Sequence, residues 1–187
     1  MNRIYSPMVA YPRSEGIGDI NARTLGSGAR YNAGKVPIDL IPAAVIADVH
    51  CLTAKYEPLA KPNWYAVLAC IGSFQMRDPV PRDRLLANAL FYAGPLPDVW
   101  REAAMVFDYG RRKYATWNWA RGMSWSAVIG CAMRHVVFGP LAGEELDKES
   151  GLSHRGHFAC NVIMLLYYLH HYSDGDDRFM PPVKDAA

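Results

Sequence analysis

The sequence predicts an all-α protein, and three observations carry that reading. Apolar residues recur three and four positions apart through several stretches, the period of a helix packed along one face. Proline and glycine pairs cut those stretches at intervals, as at Gly94-Pro95-Leu96-Pro97 and Gly139-Pro140. No run alternates Val, Ile or Thr with polar residues around a hairpin turn, so nothing reads as a strand ladder.

Taken in order, residues 1–29 mix Pro, Gly, Ser and charges without periodicity and end in Gly26-Ser27-Gly28, an irregular arm suited to packing on a partner subunit. Arg30-Tyr31-Asn32-Ala33-Gly34-Lys35-Val36-Pro37 comes next, with two basic side chains flanking a glycine. It suits a phosphate or a solvated turn, and it is not a P-loop, because the upstream glycine and following Ser/Thr are missing. Ile38 to Leu52 reads as a helix through Leu40, Ile41, Ala44, Val45, Asp48 and Val49, and Pro58 and Pro62 interrupt the chain after it. Trp64 to Phe74 is a second helix and Asp83 to Tyr92 a third. Asp98 offers the cap of a fourth, closing at Gly110 or slightly beyond. Tyr109 to Gly122 is a basic, aromatic loop, able either to stack a planar base and neutralise phosphates or simply to cover the core. Ser124 caps a helix from Trp125 to about Val137, and a last helix runs from about Ser153 to His170. A polar tail, residues 174–187, is expected to fray.

At 187 residues, 51% hydrophobic and 20% charged, the chain can bury one core. One domain is expected over 30–173, or one domain with an insertion. A net charge of +2 without a basic arm argues against nucleic-acid binding. The four cysteines lack metal-ligand spacing and read as buried thiols in a reducing cytoplasm. No eighteen residues are uninterruptedly apolar, and the N-terminal residues lack the apolar run of a secretory signal. The expectation is a cytoplasmic protein without a membrane partner.

The chemistry concentrates between Arg134 and Asn161. That span holds four of the 18 acidic residues and three of the 6 histidines, with Arg134 and Asn161 at its ends. Hard anionic ligands beside imidazoles suggest a divalent-metal or phosphate site. His154, His157 and Asn161 fall at i, i+3 and i+7, one face of a helix whose opposite face would bury Phe158, Val162, Leu165 and Leu166. The plain alternatives are a solvated acidic turn and capping histidines.

Several blocks in this order resemble a known family: Arg30-Tyr31-Asn32-x-Gly34-Lys35, Val106-Phe107-x-Tyr109-Gly110-x-x-Lys113-Tyr114-x-x-x-Asn118-Trp119, Arg134-His135, and Gly143-Glu144-x-x-Asp147-x-Glu149-Ser150-Gly151-x-x-His154-x-x-His157-x-x-x-Asn161. They look like the phage dATP/dGTP diphosphohydrolases, related to the MazG-like all-α nucleotide pyrophosphohydrolases. The resemblance covers roughly 30–49 and 100–170, and implies a MazG-like helical bundle with residues 50–99 inserted. It also implies hydrolysis of a purine deoxynucleoside triphosphate to monophosphate and pyrophosphate with Mg²⁺ or Mn²⁺, in a homo-oligomer, dimer or tetramer, that adjusts a phage's nucleotide pool in the host cytoplasm. One departure stands out. The MazG pattern carries its carboxylates on two helices, whereas here Glu144-x-x-Asp147 sits beside Gly143 and the next helix carries His154, His157 and Asn161.

Phosphoanhydride hydrolysis needs charge neutralisation and a placed water. On this reading Glu144, Asp147 and Glu149 are metal ligands, with His154 or His157 as a further ligand or general base. Arg30, Lys35, Lys113 and Arg134 hold phosphates, while Tyr31, Asn118, Trp119 and Asn161 hold base or sugar. Two rivals stand beside it. One is an HD-type nucleotide phosphohydrolase, disfavoured by the absence of a His-Asp doublet. The other is a non-catalytic nucleotide-binding or assembly module.

Overall fold

In the computed structural model, residues 35–179 are described, and the chain divides into two compact units, residues 1–36 and 37–187. The larger is all-α: α1 Ala43–Thr53, α2 Trp64–Gln75, α3 Arg82–Tyr92, α4 Leu96–Lys113, α5 Trp125–Val137 and α6 His154–His171, joined by short 3-10 turns. Among the described residues, extended pairing is limited to an isolated bridge between Leu146 and Ser153.

The last helix organises the rest. α6 packs chiefly between α4 and α5 and also meets α3. His154, Phe158, Ala159, Cys160, Val162, Ile163, Leu165, Leu166 and Tyr168 are all buried, so the helix is enclosed on nearly every side. A helix apolar all round belongs in a core, and the single buried face expected opposite the histidines is a correction: His154 itself is only 6% exposed. α2 and α3 join the same core through Val67, Ile71, Phe74, Leu86 and Leu90, each under 2% exposed.

Local chemistry explains where the helices differ from expectation. The first helix is split: a 3-10 turn at Ile38–Leu40 ends in extended Ile41, and α1 begins after Pro42. Pro42 disfavours helical geometry in the residue before it. α4 starts at Leu96, with Pro97 in its first turn, and runs through Gly110 to Lys113, taking five residues of the expected loop. There Asp108 pairs with Arg111 at 2.6 Å and Arg112 at 3.1 Å, one turn on, and three basic residues face the negative helix end.

Ser124 stands at the start of α5 as expected but makes no side-chain cap. Asp177 caps instead, its Oδ1 accepting from the Ser126 amide at 2.8 Å and its Oδ2 from the Ser126 hydroxyl at 2.6 Å. The part of the expected tail from Asp176 to Arg178 is therefore pinned, while residues 180–187 lie outside the described residues. Arg178 is 4% exposed, donates to the Phe74 carbonyl at 2.5 Å and to Asp176 at 2.7 Å, and lies over the rings of Phe74 and Trp125. One stretch, Trp125–Ala142, is long and apolar enough by composition to cross a membrane, although Arg134 and His135 interrupt it. It comprises α5 and the following turn, and Trp125, Val128, Ile129, Ala132 and Val136 are in the core.

Candidate metal centre and its surroundings

Three turns of backbone bring the site together. α5 ends at Val137 with Phe138 as its cap, and Gly139 lets the chain reverse beside α6: a Cβ there would lie 2.5 Å from the His135 carbonyl oxygen and 2.5 Å from the His154 ring. The acidic loop then folds back on itself. The Asp147 amide donates to Leu152 O at 2.8 Å, the Gly151 amide to Asp147 O at 2.8 Å and the His154 amide to Glu145 O at 2.9 Å. Gly151 takes a positive φ of 69°, which glycine adopts at little cost. Finally Ser153 caps α6, accepting from the Gly156 amide at 2.9 Å while donating to Glu102 on α4 at 2.5 Å. Arg155 pairs with the same Glu102 carboxylate, so the start of α6 is fixed to α4.

This folding converges on imidazoles. His135 Nδ1 and His154 Nδ1 are 3.0 Å apart, and the His135 ring stacks on His157 with centroids 4.5 Å apart at 13°. His135, Asp147 and His154 each offer one ligand atom, all within 4.8 Å of one another. Asp147 is held in place by Ser150, whose amide and hydroxyl both donate to Asp147 Oδ1 at 2.9 Å. Ser150 Oγ also lies 2.7 Å from His157 Nε2. Because the single hydroxyl proton goes to the carboxylate, His157 Nε2 carries the proton of that second bond.

The electrostatics suit ligation. Burial, then the neighbouring His157 and His154, pushes His135 down to about 4. Burial likewise lowers His157, with Asp147 opposing. An imidazole that stays neutral keeps a lone pair for a cation. Burial works to raise Asp147, but the two Ser150 bonds and the facing His157 and His135 outweigh it and hold its pKa below the usual carboxylate value. His154 Nε2 is buried without a hydrogen-bond partner, its nearest carboxylate oxygen being Glu144 Oε2 at 3.8 Å. Such an orphan costs about 1–3 kcal/mol unless something outside the chain satisfies it. The donor set of His135, Asp147 and His154 fits a divalent ion.

Not every residue singled out from the sequence joins the cluster. Asp147, His154 and His157 are in it, and Glu144 is at its edge. Glu144 accepts from Lys148 at 2.6 Å, which holds its pKa down. Glu149 instead accepts from Lys113 at 2.6 Å and Tyr109 at 3.3 Å, at the end of α4. That contact sets the basic end of α4 beside the acidic loop. Arg134 is exposed and donates to Cys131 Sγ at 2.9 Å. Asn161 donates to the His157 carbonyl at 2.8 Å within its own helix. Asn118 is exposed, whereas Trp119 packs against Phe107, Tyr167 and Tyr168. Arg30 and Tyr31 lie outside the described residues, and Lys35 belongs to the preceding unit.

His135 is the member that sequence reasoning left out of its ligand set. It was legible only as half of Arg134-His135. The helix-end signal favours Arg134 by charge, yet its neighbour is the side chain turned inward.

Comparison with known proteins bears on what the site does. A family model described as "dATP/dGTP diphosphohydrolase, N-terminal" matches residues 80–178, more than half of the chain and all of α3 to α6. A Salmonella phage PMBT28 protein named dATP/dGTP diphosphohydrolase is 29% identical over 82 residues, 44% of this chain and 28% of that protein. The match thus spans little more than a quarter of that relative. No solved structure matches. The matched segment contains His135, Asp147, Ser150, His154 and His157 together, and on its extent the chain belongs to the dATP/dGTP diphosphohydrolase N-terminal family.

Proposed function

We propose that the chain is a metal-dependent nucleotide hydrolase that converts a purine deoxynucleoside triphosphate, dATP or dGTP, to the monophosphate and pyrophosphate. The observation that supports it most is the convergence of His135, Asp147 and His154 beside a lip where Lys113 and Lys148 stand. In the reaction a water oxygen bonds to the α-phosphorus, the bond from that phosphorus to the bridging oxygen breaks, and pyrophosphate leaves. His135, Asp147 and His154 would hold the ion, with Glu144 at the edge. A divalent ion supplies charge neutralisation and acidifies water at such a centre.

The chain's own groups do the rest. Lys113 and Lys148 are cations that can exchange their glutamates for phosphate oxygens. His157 is the base nearest the cluster that is not needed as a ligand, and Ser150 fixes its ring. The exposed Tyr114 and Trp117 rings, beside Lys113, are available to a purine. Mn²⁺ or Mg²⁺ as the ion, a MazG-like bundle and a homo-oligomeric state belong to the same proposal.

The test is direct. Purified chain is incubated with each dNTP and Mn²⁺, and the products are resolved. Monophosphate with pyrophosphate is the expected outcome, lost by about 10²-fold or more in Asp147→Asn. Nucleoside with triphosphate would assign the HD-type reaction instead. A second reading, a nucleotide-binding module without turnover, draws on the short span of the match to the phage relative and on the family's N-terminal designation. Binding of dNTP with no product would select it.

A further inference from the structure

We infer that the centre formed by His135, Asp147 and His154 is built for a borderline transition-metal dication, such as Mn²⁺, Fe²⁺, Co²⁺ or Zn²⁺, and discriminates against Mg²⁺. This rests on the proposed metal centre, not on hydrolysis. Mg²⁺ takes oxygen ligands and keeps most of its waters, so dedicated Mg²⁺ sites are carboxylate-rich. The acidic loop offers such carboxylates in its sequence, but the fold commits them elsewhere. Glu149 is bound to Lys113 and Tyr109, and Glu144 to Lys148. What converges is two imidazoles and one carboxylate.

Imidazole nitrogen suits the later first-row ions, and a set of two histidines and one carboxylate leaves positions open for water or a phosphate oxygen. The spacing agrees. Two nitrogens each about 2.1 Å from one ion at a right angle stand about 3.0 Å apart, and His135 Nδ1 and His154 Nδ1 are 3.0 Å apart. His157 is excluded as a ligand through Nε2, since that atom is engaged by Ser150. His154, only 6% exposed, brings its imidazole into the cluster from the buried start of α6.

The full chain, stripped with a chelator, is titrated with Co²⁺ without nucleotide. Visible absorption and metal analysis of the desalted protein are followed, together with competition by Mg²⁺ and Zn²⁺. The expected result is one Co²⁺ per chain with ligand-field bands, retained in 100-fold excess Mg²⁺ and displaced by Zn²⁺. His135→Gln, at a half-buried position, weakens Co²⁺ by about 100-fold or more while helicity stays unchanged. Glu149→Gln leaves it within about 2-fold, whereas a carboxylate centre would lose affinity. Equal competition by Mg²⁺, insensitivity to His135→Gln, or no ion bound, leaving only an N–H···N contact between the two rings, each overturns the inference. The outcomes separate from those of the hydrolase assay. Co²⁺ binding without dNTP turnover keeps the metal assignment and removes the enzyme; turnover with Mg²⁺ equal to Mn²⁺ and no Co²⁺ preference does the reverse.

Discussion

Ser150 is one of the smallest side chains around the candidate centre and ties its carboxylate to its neighbouring base. It donates twice to Asp147, meets His157 Nε2 and accepts from the Leu152 amide. Its removal should therefore act through its neighbours. Ser150→Ala frees Asp147 to rotate and leaves His157 unheld, and the affinity for the ion is expected to fall about 10–100-fold. Isothermal titration with Mn²⁺ measures this; unchanged affinity would mean that Asp147 is oriented by the loop backbone alone. At this scale the sequence was informative about residue type and misleading about partners. Glu144, Asp147 and Glu149 look equivalent along the chain. Only the fold shows that two of them face lysines, one of which is 36 positions upstream, a distance no spacing rule spans. His135 and His154, 19 positions apart, meet for the same reason.

At the scale of elements, close helix approach sets the site as firmly as any hydrogen bond. A Cβ on Gly156 would lie 2.8 Å from the Glu102 carbonyl oxygen, a backbone atom of α4 that cannot simply turn aside. Two effects compete in Gly156→Ala. The alanine gains about 1 kcal/mol of helix propensity, while forcing α4 and α6 apart costs about 1–3 kcal/mol. The clash with backbone should win, so a lower urea midpoint is expected; a higher one would mean that the two helices slide without cost. Most helices could be read from the chain because their breakers are local: α2, α3, α5 and α6 agree with periodicity and Pro/Gly punctuation to within a residue or two. α4 outran Gly110 because opposite charges one turn apart, and a basic last turn, compensate for one glycine. The enclosure of α6 was hidden because its N-terminal half carries His154, His157 and Asn161, polar residues that periodicity assigns to solvent.

For the whole molecule, the last described residues close the fold. Arg178 joins Asp176 to the Phe74 carbonyl across more than a hundred positions of sequence, and Arg77 reaches the same Asp176 at 3.0 Å. Breaking a buried pair by removing one partner is costly, so Arg178→Met should lower stability by about 3 kcal/mol, read from urea unfolding at neutral pH. The acid dependence comes from Asp176. Burial acts to raise its pKa, but the bonds from Arg178 and the field of Arg77 hold it below the ordinary 3.8. A carboxylate depressed in this way stabilises the fold above its unfolded value and loses that contribution as pH falls through the folded one. The gap between wild type and Asp176→Asn is thus expected to be full at neutral pH and to close as the medium is acidified beneath 3.8; a gap constant with pH would show that the ion pair contributes nothing. This hook was illegible in the sequence, where Asp-Gly-Asp-Asp-Arg reads as solvated tail.

The same hook gives the molecule an intrinsic optical gauge. Trp125 is fully buried, its ring 6.1 Å from and nearly parallel to that of Phe74, with the Arg178 guanidinium set over both. An indole enclosed in this way emits at short wavelength, and undocking the guanidinium would admit solvent and shift the emission to the red. In a variant that keeps Trp125 and replaces the other four of the 5 tryptophans, the seating of Asp176 to Arg178 can thus be followed by ultraviolet fluorescence.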